Sequence, residues 1–223
     1  MRASGSAPAG SSRSARCGCS PRASRTSETS AGSSTCRWSR GARLWDILWE
    51  AGQAHGLIAV GIGVYGTTGR LEKSYRAYGA ELETEYNVIE AGMQTAKVKE
   101  QDFVGKQAYL QHRAEDPVAI LCSLTVDDHT SSTREKRYML GRDPILTKEG
   151  QPITDAKGRR SYVTSAGSAP SLGKHVLMAY LPPEHATVGA GLLVEYLGEQ
   201  YPVTVALAGP TPLLDPKNER ILA

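Results

Sequence analysis

Gly61-Ile62-Gly63-Val64-Tyr65-Gly66 fits the G-x-G-x-x-G pattern of dinucleotide loops, whose glycines let the backbone approach a pyrophosphate. Glu81, Glu83 and Glu85 stand about twenty residues on, where a ribose-binding acid belongs. That chemistry needs a parallel βαβ unit around the loop. The later sequence becomes antiparallel strand pattern instead, so a flexible, closely packed turn is the better reading. Cys17-x-Cys19 is half of a metal motif with no second pair and no nearby His. His55, His112, His129, His175 and His185 share no ligand spacing, and Asp127-Asp128-His129 reads as solvated turn residues after a strand. Gly105-Lys106 lacks the upstream glycine and the Ser/Thr of a phosphate loop. Spacing assigns no nucleophile, no base and no metal ligand.

Two kinds of element must position whatever chemistry the chain has. Leu44, Ile47, Leu48 and Ala51 recur at helical spacing, with Gly52 as a stop and Trp45 and Trp49 on an adjacent strip. Leu57–Val60 reads as a short strand, Arg70–Tyr78 as a helix ending at Gly79, and Asp102–His112 as a helix capped by Asp102. After Pro117 the period becomes two. Val118–Val126 and Tyr201–Leu207 alternate in the manner of half-buried strands. Further strands are expected at Tyr138–Leu140, Pro144–Thr147, Tyr162–Ser165, His175–Leu181 and Leu192–Leu197, the last joined to the Tyr201 strand by Gly198-Glu199-Gln200. The fold class is therefore α+β, a mixed α/β piece followed by a small antiparallel β-barrel or sandwich.

The 223 residues are 40% hydrophobic with a formal net charge of +3, but these averages conceal a break. Residues 1–42 contain no Leu, Ile, Val, Phe, Tyr or Lys. Residues 1–43 hold eight Arg against one Glu, while the rest of the chain carries 18 basic and 22 acidic residues. With so little apolar surface the arm is expected to be disordered. It lacks the apolar stretch of a secretory signal, and no run elsewhere reaches the ~20 residues that span a bilayer. Only Cys122 lies outside the arm, which is no disulfide framework; a soluble, cytoplasmic chain with no membrane contact is expected.

Three readings of the arm stay open. A nucleic-acid tail would use the arginines, but Lys and interleaved aromatics are missing, so no nucleic-acid partner is expected. A transit peptide would need an amphipathic helix that these small residues do not build. The third reading is a GC-rich frame translated one base out of register. With third bases chosen freely, residues 28–39 (E-T-S-A-G-S-S-T-C-R-W-S) share DNA with R-D-L-G-W-E-L-Y-V-P-V-E in the neighbouring frame.

From Leu44 onward the chain resembles the C-terminal half of the glycine-cleavage T-protein (aminomethyltransferase) superfamily. The resemblance rests on R-L-E-K-S-Y-R-A-Y-G-A-E-L (70–82), I-E-A-G (89–92), D-F-V-G-K-Q-A (102–108), Y-V-T-S-A-G-S-A-P-S-L-G-K (162–174), A-Y-L-P (179–182) and V-G-A-G-L-L-V-E-Y-L-G (188–198), in the family's order. The out-of-frame string resembles the family's Leu-Gly-Trp-Glu-Leu segment, which directly precedes the Leu44 helix, and this favours the third reading of the arm. Within the superfamily, L-T-V-D-D (124–128) and L-D-P-K-N-E-R (214–220) look most like dimethylglycine and sarcosine dehydrogenases. Aminomethyltransferases proper carry A-R-D before R-L-E, and here Gly66 falls where that Arg would stand.

The resemblance implies a division into residues 1–42, a partial folate-binding domain at 43–115 and a barrel at 116–223. It implies tetrahydrofolate as the cofactor, with FAD belonging to an N-terminal part that this chain does not match. Of the folate-contacting positions only Tyr75 maps; the alternative for Tyr75 is packing beside Tyr78. Arg70 and Glu72 are expected in an internal ion pair or helix contacts. No segment matches the family's Asp region, so the chain is expected to be inactive alone and to work with a flavoprotein partner or N-terminal segment. The alternatives are a stand-alone module that packs on a separately encoded partner, and a glycine-cleavage aminomethyltransferase.

Overall fold

The computed structural model describes residues 20–26, 29–95, 97–217 and 219. Strands β1 (Ser20–Thr26) and β2 (Thr29–Thr35) pair antiparallel with each other. Helix α1 (Gly41–Gln53) follows a 3-10 turn at Trp38–Arg40. A π-helical turn (Val64–Gly69) runs straight into one α-turn, α2 (Arg70–Glu72), and α3 spans Lys106–Ala114. The remaining strands are β3 (Ile120–Val126), β4 (Ile145–Leu146), β5 (Val163–Ala169), β6 (Lys174–Leu181), β7 (Gly191–Tyr196) and β8 (Glu199–Ala208). They form one antiparallel sheet in the order β4-β7-β8-β3-β6-β5. Its two edges meet: the amides of Arg142 and Ile145 donate to the carbonyls of Val163 and Ser161, and Val163 donates back to Asp143. The sheet thus curls on itself as a barrel, which disposes of its open edges.

Period-two alternation divides the sheet between two cores. Cys122, Leu124 and Val126 of β3, with Leu177, Ala179 and Leu181 of β6, fill the barrel interior together with Val203 and Val205. The alternate residues Leu121, Met178 and Tyr180 face outward and pack on Leu71, Tyr86 and Ala91. A strand buried on both faces reads as an unbroken apolar run. His175–Leu181 is such a run, and seven of the eight positions of β6 are buried. Burial in this core also pushes the Cys122 thiol up to about 12, so it stays protonated.

The strand expectations after Pro117 are met with two differences. Tyr138–Leu140 forms no strand. The β7–β8 hairpin closes through Leu197 and Gly198, both at positive φ (52° and 78°), so Glu199 and Gln200 belong to the strand. Two left-handed central residues are what a type I′ hairpin needs to match strand twist.

The helical region departs further. Leu57–Val60 has no regular structure, because no neighbouring strand edge pairs with it. The helix expected over Arg70–Tyr78 ends at Glu72, where Ser74 takes φ 53°. The third helix begins at Lys106 behind a left-handed Gly105, not at Asp102. Residues 20–26 and 29–35, part of the arm expected to be disordered, carry the β1–β2 ladder; main-chain pairing needs no large side chains. The expectation for residues 1–19, including Cys17-x-Cys19, lies outside the described residues.

Gly167 sets the seam between the two cores. A Cβ there would lie 2.8 Å from both Leu71 Cδ1 and Thr67 Cγ2. Gly167→Val should therefore push the helical turn off β5 and cost about 1–3 kcal/mol, read as a lower urea midpoint.

Candidate functional site

The segment Arg70–Arg76 lies across the outer face of the sheet, and nearly every side chain in it is spent on holding it there. Arg70 is the hub. Its Nε donates to the Gly66 carbonyl at 2.6 Å and its Nη2 to Ser165 Oγ at 2.8 Å, while Nη1 lies 3.2 Å from the buried Glu81 carboxylate. Glu81 accepts a further 2.7 Å hydrogen bond from Thr164 Oγ1 and a 2.9 Å bond from the Ala77 amide. Leu71 is fully buried. Glu72 accepts from the amide and hydroxyl of Ser171. Lys73 is buried and donates to the carbonyls of Leu214 and Asp215. Ser74 meets Ser123 of β3, and Arg76 reaches the carbonyls of Ser74, Ala91 and Gly209.

Tyr75 is the exception. Its backbone is fixed at both ends, its amide donating to the Arg70 carbonyl and its own carbonyl accepting from Arg70 Nη1. Its side chain is left 40% exposed, and Tyr78 is 94% exposed, so the two do not form a packed pair in the core. Arg70 and Glu72 do not pair with each other. Each has an acid or hydroxyl partner elsewhere, Glu81 for Arg70 and Ser171 for Glu72.

A second cluster buttresses this turn. Tyr86 stacks on Tyr180 at 3.6 Å between ring centroids, and the Arg159 guanidinium covers the Tyr86 ring at 4.3 Å. Tyr180 Oη donates to the Glu81 carbonyl at 2.8 Å, which ties the stack to the Arg70 network. Arg159 grips Glu90 through Nη2 at 2.6 Å and Asp155 through Nε at 2.7 Å. Burial alone would raise the Glu90 carboxyl, but the hydrogen bonds from Arg159 and the Asn87 amide outweigh it and hold the group below its ordinary value. Asp155 is held down in the same way. Burial raises both phenols, Tyr86 and Tyr180.

Beside this cluster lies a cleft of about 230 Å³ lined by Tyr78, Leu82, Glu83, Thr84, Tyr86, Asn87 and Val88. A second, of about 480 Å³, lies between the end of β3 and the β5–β6 turn, with His129, Tyr138 and His175 in its wall. His129 is not the solvated turn residue expected: its ring packs edge-on against Tyr138, 4.8 Å away. His175 is 7% exposed, and burial lowers its pKa despite the hydrogen bond between its Nε2 and the Met139 carbonyl. Tyr75 lines neither cleft. The G-x-G-x-x-G loop does not sit between a strand and a helix; Gly66 falls inside the π-helical turn. Among the described residues no group of three or more His, Cys, Asp or Glu could hold a metal, and no helix is long and apolar enough to cross a membrane.

Two family profiles match in sequence. The GCVT N-terminal domain covers residues 22–100 and the glycine cleavage T-protein C-terminal barrel domain covers 138–212. The chain belongs to the glycine-cleavage T-protein superfamily. It is 34% identical over 189 residues to mouse (Mus musculus) mitochondrial dimethylglycine dehydrogenase, covering 81% of this chain and 19% of that protein. It is 31% identical over 160 residues to the aminomethyltransferase of Synechococcus elongatus, covering 71% of this chain and 39% of the other. The crystal structure of glycine cleavage system aminomethyltransferase T from Bartonella henselae superposes with a TM-score of 0.67 at 19% identity, over 83% of this chain and 47% of that one. The expected fold, a few helices followed by an antiparallel barrel, is thereby established for this T-protein relative. The chain spans well under half the length of these curated relatives.

Two measurements test the network. Arg70→Met strands the buried Glu81 carboxylate and should cost about 3–5 kcal/mol in chemical denaturation, with part recovered when Glu81→Gln is added. Glu90 and Asp155 stay ionised in the folded chain where the unfolded chain takes protons, so their stabilisation is complete above the ordinary Glu value of 4.5 and drains away as pH falls below it. The melting temperature of the native chain should drop steeply below that pH, and Glu90→Gln should melt lower at neutral pH but show a shallower acid decline.

Proposed function

We propose that this T-protein relative is the tetrahydrofolate-binding, aminomethyltransferase-like part of a dimethylglycine or sarcosine dehydrogenase-type system that breaks down N-methylated glycines. One observation carries the reading. Every other side chain from Arg70 to Arg76 is buried or bonded to the sheet or neighbouring loops, while Tyr75 is held by its backbone with its ring presented outward. A rigidly mounted Tyr offers a flat apolar face to a pterin or aminobenzoyl ring and a hydroxyl to its polar edge. The remaining motif residues are then positioning residues that fix the angle of that ring. The 43–115 region supplies this wall, and the 116–223 barrel supports it.

The dehydrogenase branch is favoured over a glycine-cleavage aminomethyltransferase by Gly66, which occupies a π-helical turn where the aminomethyltransferases' arginine would stand. Tetrahydrofolate, when bound, carries the one-carbon unit; this chain's residues bind and orient it. FAD belongs to a flavoprotein segment or partner outside the matched region. Oxidation of the methylated amine is assigned to that segment, and the chain alone should not turn over substrate.

Calorimetric titration of the full chain with tetrahydrofolate checks the reading. Saturable binding is expected, weakened about tenfold by Tyr75→Ala and little by Tyr75→Phe. Because Tyr75 lies outside the packed core, neither change should move the melting temperature. A folded chain that does not bind tetrahydrofolate, or binds it equally well as Tyr75→Ala, overturns the reading.

A further inference from the structure

One end of the barrel interior is closed by polar rings instead of aliphatic side chains. His175 follows the inward alternation of β6, on the same side of the strand as Leu177, Ala179 and Leu181, and is buried. His129 lies just beyond the end of β3, its carbonyl accepting from the Arg137 amide at 2.8 Å. Tyr138 stands edge-on to both imidazoles, 4.8 Å from His129 and 5.4 Å from His175 between ring centroids. The two imidazole centroids are 6.4 Å apart, and both rings line the cleft of about 480 Å³.

In each of the two rings Nδ1 is buried and has no hydrogen-bond partner. Buried polar atoms in that state are rare, because each bears its full desolvation cost. For His175 the chemistry of the atom is decided. The Met139 carbonyl can only accept, so Nε2 carries the proton and Nδ1 presents a lone pair. Burial lowers the pKa of this ring, which favours the same neutral form. A neutral imidazole whose other nitrogen donates to a main-chain carbonyl is the usual form of a metal-ligating His. A Zn–N bond of about 2.1 Å places the ion about 3.2 Å from a ring centroid, so one ion holds two imidazoles about 5.2 Å apart when tetrahedral and about 6.4 Å when linear. The observed spacing is at the upper end of that range, and His129, half-buried on a loop, reaches the tetrahedral value by moving inward about 1 Å. Of the charged groups in the lining, Lys136 is drawn aside to Thr130 Oγ1 at 3.0 Å and to Asp128 at 4.0 Å, Lys174 is exposed, and Asp127 accepts from Thr204 Oγ1. We infer that His129 and His175 together bind one divalent transition ion of the zinc, nickel and copper group, which imidazole ligands suit, at the mouth of the barrel. Among the described residues no third His, Cys, Asp or Glu joins the pair, so water from the cleft completes the coordination. The ion fastens the loop after β3 to the start of β6. This site does not involve Tyr75 and is independent of the folate reading.

Calorimetric titration of the full chain with Zn²⁺ tests it, after chelator treatment and with the reactive cysteines alkylated so that thiolates do not compete. Saturable uptake of a single ion is expected. His129→Gln should weaken it about tenfold or more, while His55→Gln, at an exposed histidine outside the cleft, should leave it unchanged. In ¹⁵N spectra of the imidazoles, Zn²⁺ should shift the Nδ1 resonances of His129 and His175 together and leave the proton on His175 Nε2 in place. These spectra need no variant, so they decide the matter should His129→Gln unfold the chain. A chain that takes up no Zn²⁺, its two nitrogens served by a buried water, overturns the inference. So does uptake that leaves both Nδ1 resonances where they were, or that a folded His129→Gln chain retains in full.

Discussion

The buried pair of Arg70 and Glu81 is the constraint around which the rest of the chain is arranged. A carboxylate with no exposure needs a charged partner and hydrogen bonds to its remaining lone pairs, and Glu81 has Arg70, Thr164 and the Ala77 amide. These groups come from a helical turn, a loop and strand β5. Removing any one leaves a polar atom stranded beneath Tyr180. The network has little freedom to drift, and it locks the orientation of the turn that ends at Tyr75.

Around this hub the two cores share one sheet. β3 and β6 give one set of side chains to the barrel interior and the other to the helical region, so neither half has an independent packing surface. The Arg159–Tyr86–Tyr180 stack adds a second rivet: a loop of the barrel domain lays its guanidinium over a ring from the preceding domain. Glu90 completes the grip at 2.6 Å.

What the sequence disclosed follows from the range of the interactions. Strands β3 and β8 and helix α1 announce themselves through local periodicity, and all three form within a few residues of their expected ends. The early end of the helix after Glu72 did not show, because Ser74 adopts a left-handed conformation that its own identity does not demand; it follows from the contacts that Glu72, Lys73 and Ser74 make with distant residues. The G-x-G-x-x-G pattern reads as a closely packed turn, but of its glycines only Gly66 falls in the π-helical turn, and a Cβ at any of the three would meet nothing within 4 Å. At the candidate site, Tyr75 was legible only through the family motif. The Glu81 and Arg159 clusters join residues about seventy or more positions apart, and no spacing rule reaches that far. His129 reads locally as a turn residue, yet its ring is placed by Tyr138.

The strand order has a consequence for how the chain is made. Both neighbours of β3 come late: Leu121 pairs with Tyr180, and Val126 with Val203. Contacts between such distant positions must close long loops before any packing compensates the lost entropy, so high contact order makes this barrel a slow folder. On the ribosome, β3 emerges with neither partner available, and its apolar side chains wait for β6 and then for β8. The sheet closes only once β8 has been made, and β8 is the strand that joins its two halves.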